Sequence, residues 1–316
     1  MLNHFSKNVF KQVVGIIRYN YKAILWFIFI GSMAFVLNKV FAVSNAWLPV
    51  IPVTILGGAL AIFIAFKNNS AYDRWWEARK IWGAIVNSSR MFGTEIMTLI
   101  TLRHTSESIG DVELKALRKR MVYRHLAWIN MLRMSLREKV DLESIEPLLE
   151  ADEYEEMLLS PNKNTFLTHR QGLELEYAMS MGYVEDFRHM AMIELVKDFY
   201  VQQGQCERIK KTVFPFYYTY FTRVFLWLFI VILPFALVNT MNYMSVPLSV
   251  AISFVFYILD KLGNITEDPF ENRAADIPMT AICKNIERDM RFQLGEKDLP
   301  EVELPRYSKF KVEFLQ

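Results

Sequence analysis

Along the chain, unbroken apolar stretches alternate with stretches in which apolar and charged residues recur at helical spacing. Residues 23–37 (AILWFIFIGSMAFVL), 46–66 (AWLPVIPVTILGGALAIFIAF), 224–238 (VFLWLFIVILPFALV) and 244–259 (MSVPLSVAISFVFYIL) contain no charge. A helix crosses a bilayer with about 20 apolar residues. The second stretch meets this with 21 uncharged residues, and the other three reach it through aromatic and polar flanks suited to the interface. The pattern predicts four membrane-spanning helices in two close pairs, which one soluble core would have difficulty hiding.

Between the pairs the pattern becomes amphipathic. Proline-free residues 72–100 and the alternating patches of 111–140 predict long helices. Residues 141–162 are acidic and broken, and predict short helices and a turn. A third helical section is expected over about 172–203, with Gly204 as its C-cap or break. After the fourth span one more helix is expected over about 278–292, with Pro278 in its first turn. Residues 296–316 read as a peripheral tail.

The resulting division is 1–22, an N-terminal segment; 23–66, the first membrane pair; 67–212, a helical region; 213–259, the second pair; and 260–316, a helix and tail. All belong to one integrated body, because the helices outside the membrane are long enough to continue directly from the spans.

Charge orients this arrangement. Residues 1–22 carry Lys7, Lys11, Arg18 and Lys22 and no acid, the link after the first span carries only Lys39, and the link NTMNY (239–243) carries none. Basic loops stay in the cytoplasm, so both termini and the large middle region are expected there, in a multi-pass protein of the cell inner (plasma) membrane. The formal net charge of +2 offers no basic field for nucleic acid. Two cysteines, Cys206 and Cys283, are too few for a disulfide framework and read as reduced, buried fillers, though a bond between them is left open.

Catalytic chemistry finds little support. The five histidines (His4, His104, His125, His169 and His189) fall in no zinc-binding spacing. LGGAL at 56–60 lacks the lysine and hydroxyl of a phosphate loop, and its small residues suit helix packing or a lumen. Neither an enzyme, a cofactor nor a bound metal is expected.

The stretch TILGGALAIFIAFKNNSAYDRWWEARKIWG (54–83) carries the functional signal. Thr54, Gly58, Ile62 and Phe66 recur every four residues and form one stripe, drifting about 40° per step. Around a shared axis, Ile62 and Phe66 would make successive hydrophobic rings that gate by dewetting, with Gly58 leaving a wider level. The competing reading is lipid contact or helix packing. Lys67, Asn68 and Asn69 follow where the apolar section ends and suit a mouth or neck support, as do Arg74 and Glu77; Asp73 and Glu77 form a like-charged pair in need of a basic neighbour.

The runs LGGALAIFIAFKNNSAYDRWWEARKIWGAIVNSSR (56–90), GQCERIKKTVFPFYYTY (204–220) and GNITEDPFENRAADIPMTAICKNIERDM (263–290) resemble, in this order, the bacterial and plant-type branch of the bestrophin ion channels. The resemblance implies an all-α homopentamer in membrane lipid, with four transmembrane segments per subunit and a large helical cytoplasmic region. The second span would line a narrow neck at Ile62 and Phe66, with Gly58 where the family usually has a bulky residue. A second constriction would arise near 184–193. The acidic calcium clasp of the animal branch is not matched, because EDPFENRAAD offers Glu267, Asp268, Glu271 and Asp276 without a dense acidic run. The implied function is passive conduction of chloride and other small monovalent anions. A monovalent-cation channel of the same fold, and a non-conducting membrane scaffold or sensor, remain the alternatives.

Overall fold

The computed structural model describes residues 13–39, 49–102, 111–212, 216–304, 306–307 and 313–314. The basic residues Lys7 and Lys11, the link at 40–48, His4, His104, Pro215 and most of the last dozen residues lie outside them. Helices dominate. They are α1 (Tyr21–Lys39), α2 (Val50–Leu99), α3 (Asp111–Leu136), α4 (Ala151–Leu159), α5 (Lys163–Ser180), α6 (Asp186–Lys211), α7 (Phe216–Met241), α8 (Ser245–Thr266) and α9 (Met279–Gln293). A short helical stretch, 13–19, precedes α1. A two-residue ladder pairs β1 (Arg306–Tyr307) with β2 (Glu313–Phe314).

Among the described residues three stretches are long and apolar enough to cross a membrane: 21–38, part of Val50–Leu99, and part of 186–266, within which both α7 and α8 lie. In the most apolar windows of the first two, only 22% of residues are buried. Such apolar surface facing outward is what a lipid solvent selects.

The chain packs as two compact units. The first comprises Met1–Trp75, Val213–Asp268 and Tyr307–Glu313; the second comprises Trp76–Thr212, Pro269–Arg306 and Phe314–Gln316. One division falls inside the 50-residue α2, nine residues beyond the end of the apolar run at residue 66, because helix continuity does not require a break where polarity changes.

In the first unit, α1, α7, α8 and the first half of α2 bury Phe27, Ile30, Leu60, Ile64, Phe229 and Leu233. Close approach depends on small residues, as expected for helices that gain nothing from excluding water. A Cβ on Gly57 would meet the Phe229 ring at 2.9 Å. A Cβ on Gly31 would meet Ser249 Oγ at 3.2 Å, and Ser245, Ser249 and Ser253, spaced four apart, are all buried. Their hydroxyls do not demand distant partners: Ser245 donates to Asn242 O (2.6 Å) and Ser249 to Val246 O (2.9 Å).

In the second unit, α3 is the centre, with buried residues on nearly every face from Met121 to Leu132. His125 lies among Phe92, Trp128 and Phe199, its ring 4.5 Å from that of Phe199, and its Nε2 is 2.8 Å from Ser89 Oγ. Burial pushes its pKa down to about 3, so the ring is neutral. Arg124, equally buried, meets Glu153 Oε2 at 2.9 Å and Glu174 Oε2 at 3.1 Å. Cys206 and Cys283 are buried free thiols, and burial pushes that of Cys283 up to about 12.

One expectation is corrected. Gly204 does not end a helix: α6 runs through it to Lys211. The break lies earlier, between α5 and α6, where Gly182 adopts φ +73°. A left-handed residue stops a helix, whereas a helical glycine costs only about 1 kcal/mol relative to alanine. Pro278 sits at the N-cap of α9, one position before the expected first turn. The tail is pinned to α9: Lys284 Nζ meets Glu303 Oε2 at 2.5 Å and Arg291 donates to Asp298 O at 2.9 Å.

Candidate functional site

The first half of α2 has two faces of opposite character. One carries Ile62 and Phe66, which are 59% and 69% exposed, with Gly58 on the same side and open space around it. The other is packed inside the first unit through Val53, Leu60, Ile64 and Lys67. At 100° per residue, Ile55, Asn69 and Asp73 lie within about 20° of Ile62, and Gly58 and Phe66 within about 40°. Ile55, Asn69 and Asp73 are exposed as well. The exposed edge is therefore longer than the four-residue spacing indicates. The signal for Ile55 and Asn69 was present in the sequence: both are seven residues from Ile62, and a seven-residue step almost closes two helical turns, whereas a four-residue step drifts.

The polar residues after the apolar run divide between these faces. Thr54 is exposed and returns its hydroxyl to Val50 O (3.0 Å). Lys67 lies about 140° round the helix from Ile62. Its ammonium meets Asp260 Oδ1 of α8 at 2.7 Å, with side chains only 4% and 8% exposed. Asn264 Nδ2 lies 3.3 Å from the other Asp260 oxygen.

Asn68 donates to Leu259 O (3.0 Å), and its Oδ1 lies so close to Gly263 that a Cβ there would clash with it. Arg74 Nε donates to Glu267 O (3.0 Å). Lys67, Asn68 and Arg74 thus tie α2 to α8 and to the chain that follows it. Asn69 alone of the three residues at 67–69 is on the open edge. Glu77 finds its basic neighbour in Arg208, within the second unit, while Asp73 makes no ion pair with a described residue.

Phe66 also borders a groove of about 570 Å³ beside α7, with Tyr218 and Thr222. In the second unit, Val184 is buried, but Phe187 in the first turn of α6 is 92% exposed. Among the described residues, no group of three His, Cys, Asp or Glu side chains is placed to hold a metal. Glu271 accepts a bond from Lys210 at 2.8 Å.

A family model described as Bacterial/Fungal Bestrophin protein matches residues 5–292. The voltage-dependent anion channel-forming protein YneE of Escherichia coli (strain K12) is 33% identical over 254 residues, covering 80% of each chain. The voltage-dependent anion channel-forming protein mll4386 of Mesorhizobium japonicum is 29% identical over 245 residues, covering 78% of this chain and 75% of that one. Among solved structures, a bacterial bestrophin homolog from Klebsiella pneumoniae is similar with a TM-score of 0.80 and 28% identity, covering 87% of this chain and 98% of that one.

Proposed function

The chain belongs to the bacterial and fungal bestrophin family, and from that membership we propose that it forms a passive channel for chloride and other small monovalent anions. Relatives 33% identical over 254 residues bear the name of anion channel-forming proteins. The observation that carries the reading is the exposed Ile62–Phe66 edge of α2. Two large apolar side chains lie on an open helix face, while Lys67 points inward to Asp260. That distribution suits a helix whose open edge faces a shared axis lined by copies of itself.

The proposed assembly is a homopentamer with four spans per subunit, α1, α2, α7 and α8, and both termini in the cytoplasm. Ile62 and Phe66 form the neck, Gly58 a wide level within it, and Asn69 the polar step beyond. Hydrophobic rings of this kind close an aqueous path by dewetting. Phe187 forms the cytoplasmic constriction, supported by its exposure at the start of α6. Asp73 favours the second reading, a cation channel, since an acidic ring on the open edge attracts cations.

The test is conduction by the purified oligomer in planar bilayers. Unitary current steps are expected, with larger conductance or easier opening in the Ile62→Ala/Phe66→Ala variant. Reversal potentials in asymmetric sodium chloride separate anion from cation selectivity by the sign of the shift. Folded oligomers that pass no current over a range of salt and voltage would leave the scaffold reading in its place.

A further inference from the structure

The first unit contains a cationic cleft that the conduction path does not use. Arg223 immediately precedes the uncharged run 224–241 of α7, and Lys261 follows the uncharged run 244–259 of α8 by two residues. These helices are joined by the tight turn Asn242–Met244, so both cations lie at the same end of the apolar layer. Between them is a cleft of about 210 Å³ walled by Trp227, Tyr257 and Asn264.

The charges around this cleft do not cancel. Asp260 borders it, but one of its oxygens is paired with Lys67 and the other lies near Asn264. Among the described residues Lys261 has only neutral partners: Asn20 Oδ1 at 2.7 Å, the Tyr19 ring at 4.4 Å and the Tyr257 ring at 5.8 Å. Arg223 is exposed and makes no hydrogen bond or ion pair with a described residue. Two cations thus lie side by side at an apolar boundary with no described acid to neutralise them, beside exposed Val224, Trp227 and Leu228.

We propose that the cleft between Arg223 and Lys261 binds the phosphate of a membrane lipid headgroup. A phosphodiester supplies the missing negative charge, the guanidinium and ammonium are both suited to its oxygens, and Asn264 adds a neutral polar wall. The acyl chains would continue over the exposed apolar residues of α7. Trp227 and Tyr257 have the amphipathic character of side chains that sit at headgroup level. Free phosphate shares the headgroup chemistry but gains nothing from this apolar rim.

The experiment uses the intact oligomer in detergent, equilibrated with phosphatidylglycerol, with retained lipid counted by native mass spectrometry. Arg223→Gln/Lys261→Gln should weaken retention by about tenfold or more, whereas Arg18→Gln/Lys22→Gln, which removes two other cations at the same boundary, should change it by less than about threefold. Arg223→Lys/Lys261→Arg should restore retention. Because Arg223 has no described partner to lose, the single Arg223→Gln variant should elute as the wild-type oligomer and still weaken retention, which separates loss of the site from misfolding.

Equal losses in the two Gln pairs would overturn the proposal in favour of a diffuse surface field. Displacement of the lipid by millimolar inorganic phosphate would overturn it in favour of a free-phosphate site. Neither result bears on conduction, so the channel reading stands or falls separately.

Discussion

The buried Lys67–Asp260 pair offers a sharp test of how α2 is oriented. At 2.7 Å, the attraction between unit charges is about 6 kcal/mol at an effective dielectric constant of about 20. Desolvating the two ions costs several kcal/mol each, so the pair as a whole is worth little, while removing one partner strands a buried charge at a cost of about 3–5 kcal/mol. Lys67→Met should lie at the upper end of that range, because among the described residues Asp260 has only the 3.3 Å contact from Asn264 to fall back on. Asp260→Leu should lie at the lower end, since the lysine stem is long enough for its ammonium to snorkel toward water.

The double variant Lys67→Met/Asp260→Leu should return to within about 1 kcal/mol of the parent. Thermal unfolding of the detergent-solubilised oligomer, followed by tryptophan fluorescence, checks this. Each single change should lower the midpoint by about 10 °C, from roughly 2–3 °C per kcal/mol for a chain of this size. The double variant should also keep the parent reversal potential in asymmetric sodium chloride, because both charges are removed from the protein interior and neither from the proposed neck. A single Lys67→Met variant with parental stability, or a double variant with a shifted reversal potential, would refute the reasoning by showing that Lys67 serves as a free luminal cation.

Three further outcomes follow from the geometry. Gly58→Ile should fold normally, since nothing lies within 4 Å of an added Cβ, and should lower unitary conductance by adding an apolar level to the neck. Phe187→Ala should raise conductance while leaving the thermal midpoint within about 2 °C of the parent, as expected for a surface substitution worth about 0.5 kcal/mol or less. His125 makes stability pH-dependent: an unfolded histidine titrates near 6.5 and the folded one at about 3, so the unfolded state binds the extra proton between those values. The contribution is complete above about pH 6.5 and is lost progressively as pH falls, by about 2 kcal/mol at about pH 5. His125→Gln should flatten that part of the stability profile, measured by denaturant titration across pH.

Four uncharged runs, their flanking aromatics and the absence of catalytic spacing established from the residues alone that this is an all-helical membrane protein. They did so because lipid imposes a one-dimensional requirement, a length of apolar chain, that a sequence displays directly. The Ile62–Phe66 edge was legible for the same reason: helical spacing is local. What local pattern could not decide was which polar residues belong to that edge. Lys67, Asn68 and Asn69 are adjacent in sequence and similar in polarity, yet Lys67 is committed to a carboxylate on α8, almost 200 residues later in the chain, and only Asn69 stays on the open side. Gly182 rather than Gly204 breaks the helix because backbone conformation, not residue type, ends it. The cationic cleft likewise arises only when two helix ends are brought together, so that Arg223 and Lys261 become neighbours and Asp260, beside Lys261 in sequence, is already neutralised from another direction. Polarity and length are properties of a segment, whereas the partner that cancels a charge is a property of the packing.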